Sequence, residues 1–236
     1  MGVFDLFFPK FCLVCRQNRA EEALVLCVHC AANLAFQPYE ENRPHPMLEQ
    51  ARLTHPVIQA YAPFIHNGTK GGFIRVLHEL KYAKRTFLAK ELVALAQPGL
   101  QAFFNAHRFD VMAAMPMHFT KWLQRGFNQS ALIAYEISKK NHVPFDHHLL
   151  RQVRPKKSQA SKTQEERRKM NDQLFKANRK KVKNYDHILV VDDVFTTGST
   201  LAACFNALQQ QRVAKVSYLT LFYTPLEYTG KSLLQP

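Results

Sequence analysis

The stretch I-L-V-V-D-D-V-F-T-T-G-S-T-L, from Ile188 to Leu201, restricts the possible folds more than any other part of the chain. Its four consecutive aliphatics, Ile188 to Val191, show no polar alternation. A strand made of them must be covered on both faces, as strands of a parallel sheet are. Two carboxylates, Asp192 and Asp193, end the aliphatic run, and a turn of small and hydroxyl-bearing residues follows: Thr196, Thr197, Gly198, Ser199 and Thr200. Leu201, Ala202, Phe205 and Leu208 then recur at helical spacing. Strand, acidic tip, turn and helix start make a phosphate cradle, because turn N–H groups and the positive end of the helix dipole converge on one spot. The carboxylates either accept hydrogen bonds from sugar hydroxyls or hold a hydrated Mg²⁺ brought by a diphosphate. A ribose carrying a 5-phosphate suits all of these groups. The alternative is an ordinary strand–turn–helix in which the Asp pair caps the helix.

This order of aliphatics, acids, hydroxyls and glycine resembles the phosphoribosyl diphosphate (PRPP) loop of type I phosphoribosyltransferases. The resemblance implies that Asp192, Asp193, Val194, Phe195, Thr196, Thr197, Gly198, Ser199 and Thr200 bind PRPP, with Asp192 and Asp193 as the catalytic pair and Mg²⁺ accompanying the diphosphate. Neither G-x-x-x-x-G-K-[ST] nor G-x-G-x-x-G occurs, so a nucleotide P-loop and a dinucleotide fingerprint are unsupported.

Near the N-terminus, Cys12-x2-Cys15 and Cys27-x2-Cys30 form two knuckles separated by eleven residues. Four thiolates so arranged suit tetrahedral Zn²⁺ in a closed, structural site. A redox C-x-x-C or plain buried thiols are the other readings, and His29 is an alternative ligand. Phe7, Phe8, Phe11, Leu24 and Leu26 are candidates to pack around the metal. Lys10, Arg16 and Arg19 give the module a possible second role at nucleic acid.

The charge balance sharpens the choice of partner. Lys and Arg number 32 against 18 acids, a formal +14 with pI near 9.7. Such a field favours polyanions: phosphorylated metabolites, nucleic acid or an acidic membrane surface. No apolar run approaches the roughly 18 residues of a membrane helix. Met1 to Phe8 lacks a basic start and a long apolar core, which argues against a signal peptide. A myristoylation motif is also missing. The expected location is cytoplasmic.

The expected organisation is a zinc-binding module over 1–36, a proline-rich linker over 37–60 and an α/β domain over 61–236. Tyr61 to Ile65 reads as a short strand with a turn at His66-Asn67-Gly68. Phe73, Val76, Leu77 and Leu80, then Leu88, Leu92, Val93 and Leu95, follow helical spacing. Between them the bases of Leu80-Lys81-Tyr82-Ala83-Lys84-Arg85 read as a solvated helix end. Asp110 to Ala114 suits a second parallel strand and Val216 to Phe222 a last one. Arg125-Gly126-Phe127-Asn128-Gln129 follows a proline-restrained turn, Met115-Pro116-Met117-His118. It is either a ligand-contacting loop or a helix-capping turn. Arg151 to Lys183 holds thirteen basic residues and three acids, Glu165, Glu166 and Asp172. It reads as a mobile segment or a solvated basic face, or as a groove for single-stranded DNA backbone. Cys204 reads as a small core residue.

The Cys₄ module, L-K-Y, R-G-F-N-Q and V-V-D-D-V-F-T-T-G-S-T, in this order, resemble the ComF family of competence proteins. The turn departs from the family's usual P-V-P-L, reading Ala114-Met115-Pro116-Met117. Membership implies a type I phosphoribosyltransferase-like parallel sheet flanked by helices, with a small N-terminal Cys₄ zinc-binding module. It also implies a part in natural transformation, in the uptake and handling of incoming single-stranded DNA alongside other competence proteins such as helicase or DNA-processing factors. The resemblance makes Met117, His118, Arg125 and Asn128 pyrophosphate-loop candidates. Lys156, Lys157, Lys162, Arg167 and Arg168 become candidates for a flexible loop that closes over the site or contacts DNA. The family's R-x-x-x-x-x-Q … E-R-x-x-N pattern is met by Arg154, Gln159 or Gln164, Arg167 or Arg168, and Asn171. The chain offers no dedicated base and no legible hood for an acceptor base. Three functions stay open: a transferase acting on PRPP, a non-catalytic single-stranded DNA-binding factor using the cradle as sensor or clamp, and a PRPP-responsive regulator.

Overall fold

Residues Ile188 to Val191 lie in the middle of a parallel sheet, each fully buried. The computed structural model describes residues 11–13, 15–20, 26–32, 34–66, 72–82, 85–153 and 174–228. Five strands form the sheet: β1 (Ala60–Tyr61), β2 (Phe64–Ile65), β3 (Val111–Ala114), β6 (His187–Phe195) and β7 (Lys215–Tyr223). The order is β1-β7-β6-β3, with β2 following β1 along β7, and every pairing is parallel. A separate antiparallel ribbon joins β4 (Leu150–Gln152) to β5 (Phe175–Ala177).

The helices are α1 (Val28–Ala32), α2 (Pro46–Arg52), α3 (Gly72–Tyr82), α4 (Phe87–Ala106), α5 (Phe119–Arg125), α6 (Gln129–Asn141), α7 (Arg179–Val182) and α8 (Ser199–Gln209). Strand alternation divides the core into two layers. Leu189, Val191, Met112, Leu219 and Leu221 pack with apolar residues of α4 and α6. Ile188, Val190, Val111, Ala113 and Tyr218 pack with α2 and α8. Cys204 belongs to the second layer. The expected parallel sheet flanked by helices, with clustered N-terminal cysteines, is what the chain forms. No helix among the described residues is long and apolar enough to cross a membrane.

Four expectations change. The segment 37–60 is not a loose connection, because α2 buries Met47, Leu48 and Ala51 in the second layer. Pro46 occupies the first helical turn, where its missing N–H costs nothing, and His45 caps the helix by accepting from the Met47 amide at 3.1 Å. Pro46, one of the prolines that read as linker, therefore starts a helix. The strand expected over Tyr61 to Ile65 is split into β1 and β2 around Pro63, which has no N–H for the ladder. The cysteine module is not a detached appendage either: Leu13, Leu26 and Leu34 share the first layer with α4. Phe11, expected to cover the metal site, is 53% exposed.

Candidate functional site

The C-terminal ends of β3 and β6 open into a cleft of about 260 Å³, the position at which open α/β sheets present ligand sites. Asp192 and Asp193 lie at its floor, and Val194, Thr196 and Thr200 continue its wall. The Met115 amide donates to Val191 O at 2.7 Å, so the chain leaving β3 stays beside β6. Pro116, Met117, Lys121, Arg125 and Asn128 form the facing wall.

Asp192 is held by two donors on one oxygen: Ser130 Oγ at 2.7 Å and the Asp193 amide at 2.8 Å from Oδ1. Burial, then the neighbouring Asp193 carboxylate, pushes the Asp192 carboxyl up to about 7. Asp193 takes the counter-charge: its Oδ2 is 2.8 Å from Lys81 Nζ. Lys81 is therefore not a solvated helix end. Its carbonyl accepts from Gln129 Nε2 at 3.1 Å, and Arg125 Nη1 donates to Gln129 Oε1 at 3.3 Å. Arg85 lies 3.5 Å from Glu79, and Lys84 lies outside the described residues. Replacing Lys81 by Met leaves Asp193, only 10% exposed at its side chain, without its cation. We expect a stability loss of about 1–3 kcal/mol, read as a shift of the urea midpoint.

The R-G-F-N-Q stretch is both a capping turn and a wall of the cleft. Gly126, at φ 81°, ends α5 in the left-handed region. Asn128 caps α6 by accepting from the Ser130 amide at 3.1 Å, while its Nδ2 donates to Met115 O at 3.0 Å. Met117, Arg125 and Asn128 reach the cleft. His118 instead caps α5, accepting from the Thr120 amide.

The turn after β6 is shaped by glycine. Gly198 caps α8 at φ 74°, and a Cβ there would meet Phe195 Cζ at 2.9 Å. Phe195, expected at the ligand, is buried in the second layer instead. Thr197 and Ser199 pair with each other at 3.3 Å and are not among the residues that wall the cleft. Gln50 of α2 donates to Thr196 O and accepts from Tyr223 OH at 2.7 Å, fixing the turn from behind.

The ribbon approaches from the open side, where Gln152, Leu174 and Phe175 line the cleft. The Val153 amide donates to Leu174 O at 3.0 Å, which extends the β4–β5 ribbon by one bond at the cleft's edge. Lys156, Lys157, Lys162, Arg167 and Arg168, with Arg154, Gln159, Gln164 and Asn171, lie outside the described residues.

The Sγ atoms of Cys12, Cys15, Cys27 and Cys30 all lie within 4.8 Å of one another. Tetrahedral Zn–S bonds of about 2.3 Å separate sulfurs by about 3.8 Å, and Cys15 Sγ is 3.9 Å from Cys27 Sγ. The Cys30 amide and Asn18 Nδ2 donate to Cys27 Sγ at 3.4 and 3.8 Å. Amide hydrogen bonds from Asn18 and Gln17 lower the Cys15 thiol to about 6, which favours the thiolate a metal takes. The donor set fits a closed structural metal site. His29 is exposed and outside the cluster.

No family model matches the chain. Competence protein F of Haemophilus influenzae is 23% identical over 219 residues, covering 89% of this chain and 95% of that protein. The DNA utilization protein YhgH of Escherichia coli O157:H7 is 28% identical over 155 residues, covering 63% of this chain and 66% of that protein, about two thirds of its length. Among solved structures, an adenine phosphoribosyltransferase aligns with 76% of this chain and 92% of its own, at a TM-score of 0.39 and 14% identity.

Proposed function

We propose that the chain, whose motifs resemble the ComF family and which is similar to Competence protein F of Haemophilus influenzae, binds PRPP in the cleft and serves DNA uptake in natural transformation. The observation that carries this is the convergence of Asp192, Asp193, Lys81 and Arg125 with Thr196 and Thr200 in one cleft. The 5-phosphate would sit in the Thr196–Thr200 turn, at the positive end of α8. The ribose hydroxyls would donate to Asp192 and Asp193. The diphosphate would lie toward Met117, Arg125 and Asn128, with Lys81 turning from Asp193 to meet it. Magnesium, arriving with the diphosphate, would offset its charge beside the two carboxylates. The four cysteines would hold Zn²⁺ in a structural role, and the protein would work in the cytoplasm on single-stranded DNA with other competence proteins.

Transfer would require an acceptor to attack C1 while the bond to pyrophosphate breaks, with positioning and leaving-group stabilisation supplying most of the catalysis. Asp192 is the cleft carboxyl whose proton exchange falls near neutrality. A second reading, a cleft that senses or clamps phosphate without transfer, is favoured by the absence of a dedicated base among the described cleft residues. The DNA binding in that case weakens steeply with salt.

Isothermal calorimetry with PRPP, with and without Mg²⁺, tests the proposal. Magnesium-dependent binding is expected, stronger at pH 8 than at pH 6, because the carboxylate form of Asp192 accepts the ribose hydroxyls and is populated above about 7. No heat at either pH, with or without the metal, would remove PRPP from the account.

A further inference from the structure

The helix beside the cleft carries aromatic surface that nothing in the described chain covers. Helix α5 spans only Phe119–Arg125 and none of its residues is buried. Phe119 is 63% exposed, Trp122 46% and Leu123 61%. The rings of Phe119 and Trp122, one helical turn apart, lie nearly parallel, at 15° with centroids 6.1 Å apart. Lys121 and Arg125 of the same helix turn into the cleft wall. From Val111 to Tyr135 the sequence holds no acidic residue at all. Exposed flat rings flanked by cations, on a stretch of sequence without an acid in a chain of formal charge +14, fit a partner that is both aromatic and anionic. A protein partner accounts for the rings but not for the one-sided charge.

We propose that Phe119 and Trp122 form a stacking platform for bases of single-stranded DNA, with the exposed Lys121 between them taking an adjoining phosphate. This rests on the reading of the protein as one that handles such DNA, and it adds the surface and the mode of contact. Base–aromatic stacking tolerates any sequence, because every base has a π-face. The strand held on α5 would run along the mouth of the cleft.

Trp122 is the single tryptophan of the chain, so its emission reports on this surface alone. The full-length protein is titrated at low salt with an oligothymidylate of about 15 nucleotides and with an abasic strand of equal length. Anisotropy of a labelled strand is followed in parallel. The expected result is saturable quenching by the base-bearing strand and none by the abasic one. Phe119→Ala is expected to weaken binding about tenfold, the double change with Trp122→Ala further, and Trp122→Phe is expected to restore most of the affinity. Circular dichroism checks that the variants are folded.

If the labelled strand binds but emission and the double variant's affinity are unchanged, DNA handling stands and this surface is the wrong one. If no strand binds the wild type at low salt, the DNA reading and the platform fall together. Emission that shifts with protein concentration alone, and not with added strand, would assign the surface to self-association and overturn the proposal.

Discussion

Replacing Asp192 and Asp193 together by Asn is expected to lower PRPP affinity at least about a hundredfold, since each hydrogen bond to a charged acceptor contributes roughly 1.5–3 kcal/mol. Calorimetry of the doubly changed protein measures this, and retained wild-type affinity would sink the assignment of the cleft. The two single changes separate in stability. Asp192 is raised to about 7 in the folded chain against the ordinary value of 3.8. Below pH 4 the folded and unfolded forms both carry the proton, so nothing is lost. Between about 4 and 7 only the unfolded form releases it, and stability falls as pH rises. Above 7 the loss is complete. Asp192→Asn stays neutral in both states and can still accept from Ser130 and the Asp193 amide. It is expected to raise the stability of the unliganded protein at pH 8 by on the order of 1–3 kcal/mol, with no gain at pH 4. Asp193→Asn should instead lose stability, because Lys81 would be left facing a neutral amide. Opposite signs from adjacent isosteric changes would mark the pair as built for a ligand at the expense of the empty fold.

Removing the zinc proposed for the cysteine module is expected to have a larger effect than any single cleft substitution. Cys27 is 4% exposed and accepts from both the Cys30 amide and Asn18. Cys27→Ser, or prolonged chelation, should release one Zn²⁺ per chain. It should also lower the melting temperature by more than about 10 °C, since structural zinc contributes folding energy directly. Loss should extend beyond the module. Leu13, Leu26 and Leu34 lie in the same layer as Leu92, Leu100 and Phe103 of α4, and Arg16 lies 3.7 Å from Glu79 of α3. Calorimetric scanning should show one broadened or lowered transition for the whole chain. An unchanged main transition after verified zinc removal would mean that the module's leucines contribute little to the common core.

The parts legible in the sequence were those whose determinants are local. Four uninterrupted aliphatics require burial on both faces, and β6 lies inside the sheet as its composition demands. Two C-x-x-C knuckles bring their sulfurs together, and the motif order pointed to relatives that the alignments bear out. Residues whose meaning depends on distant partners were not legible. Lys81 read as a solvated base because the carboxylate that engages it belongs to β6. Gln50 lay in a segment dismissed for its prolines, yet it steadies the turn through Thr196 O. Ser130 gives no sequence signal of its own. Its bond to Asp192 follows from α6 starting where Asn128 ties it to Met115 O. The rings of α5 give no signal of their own in the sequence, and only their exposure in the folded chain distinguishes them.

The position of β7 carries a consequence for how the chain is made. It lies between β1 and β2 on one side and β6 on the other, and its nine residues pair with all three. Synthesis reaches it after every other described strand of the sheet. Until then β1 and β2 have no partner strand in the sheet, and the β6–β3 pair presents an open parallel edge along β6. Such edges are templates for pairing with other chains. On the ribosome, the sheet closes only when its central strand slots in, and until then the protein depends on being kept apart from its neighbours.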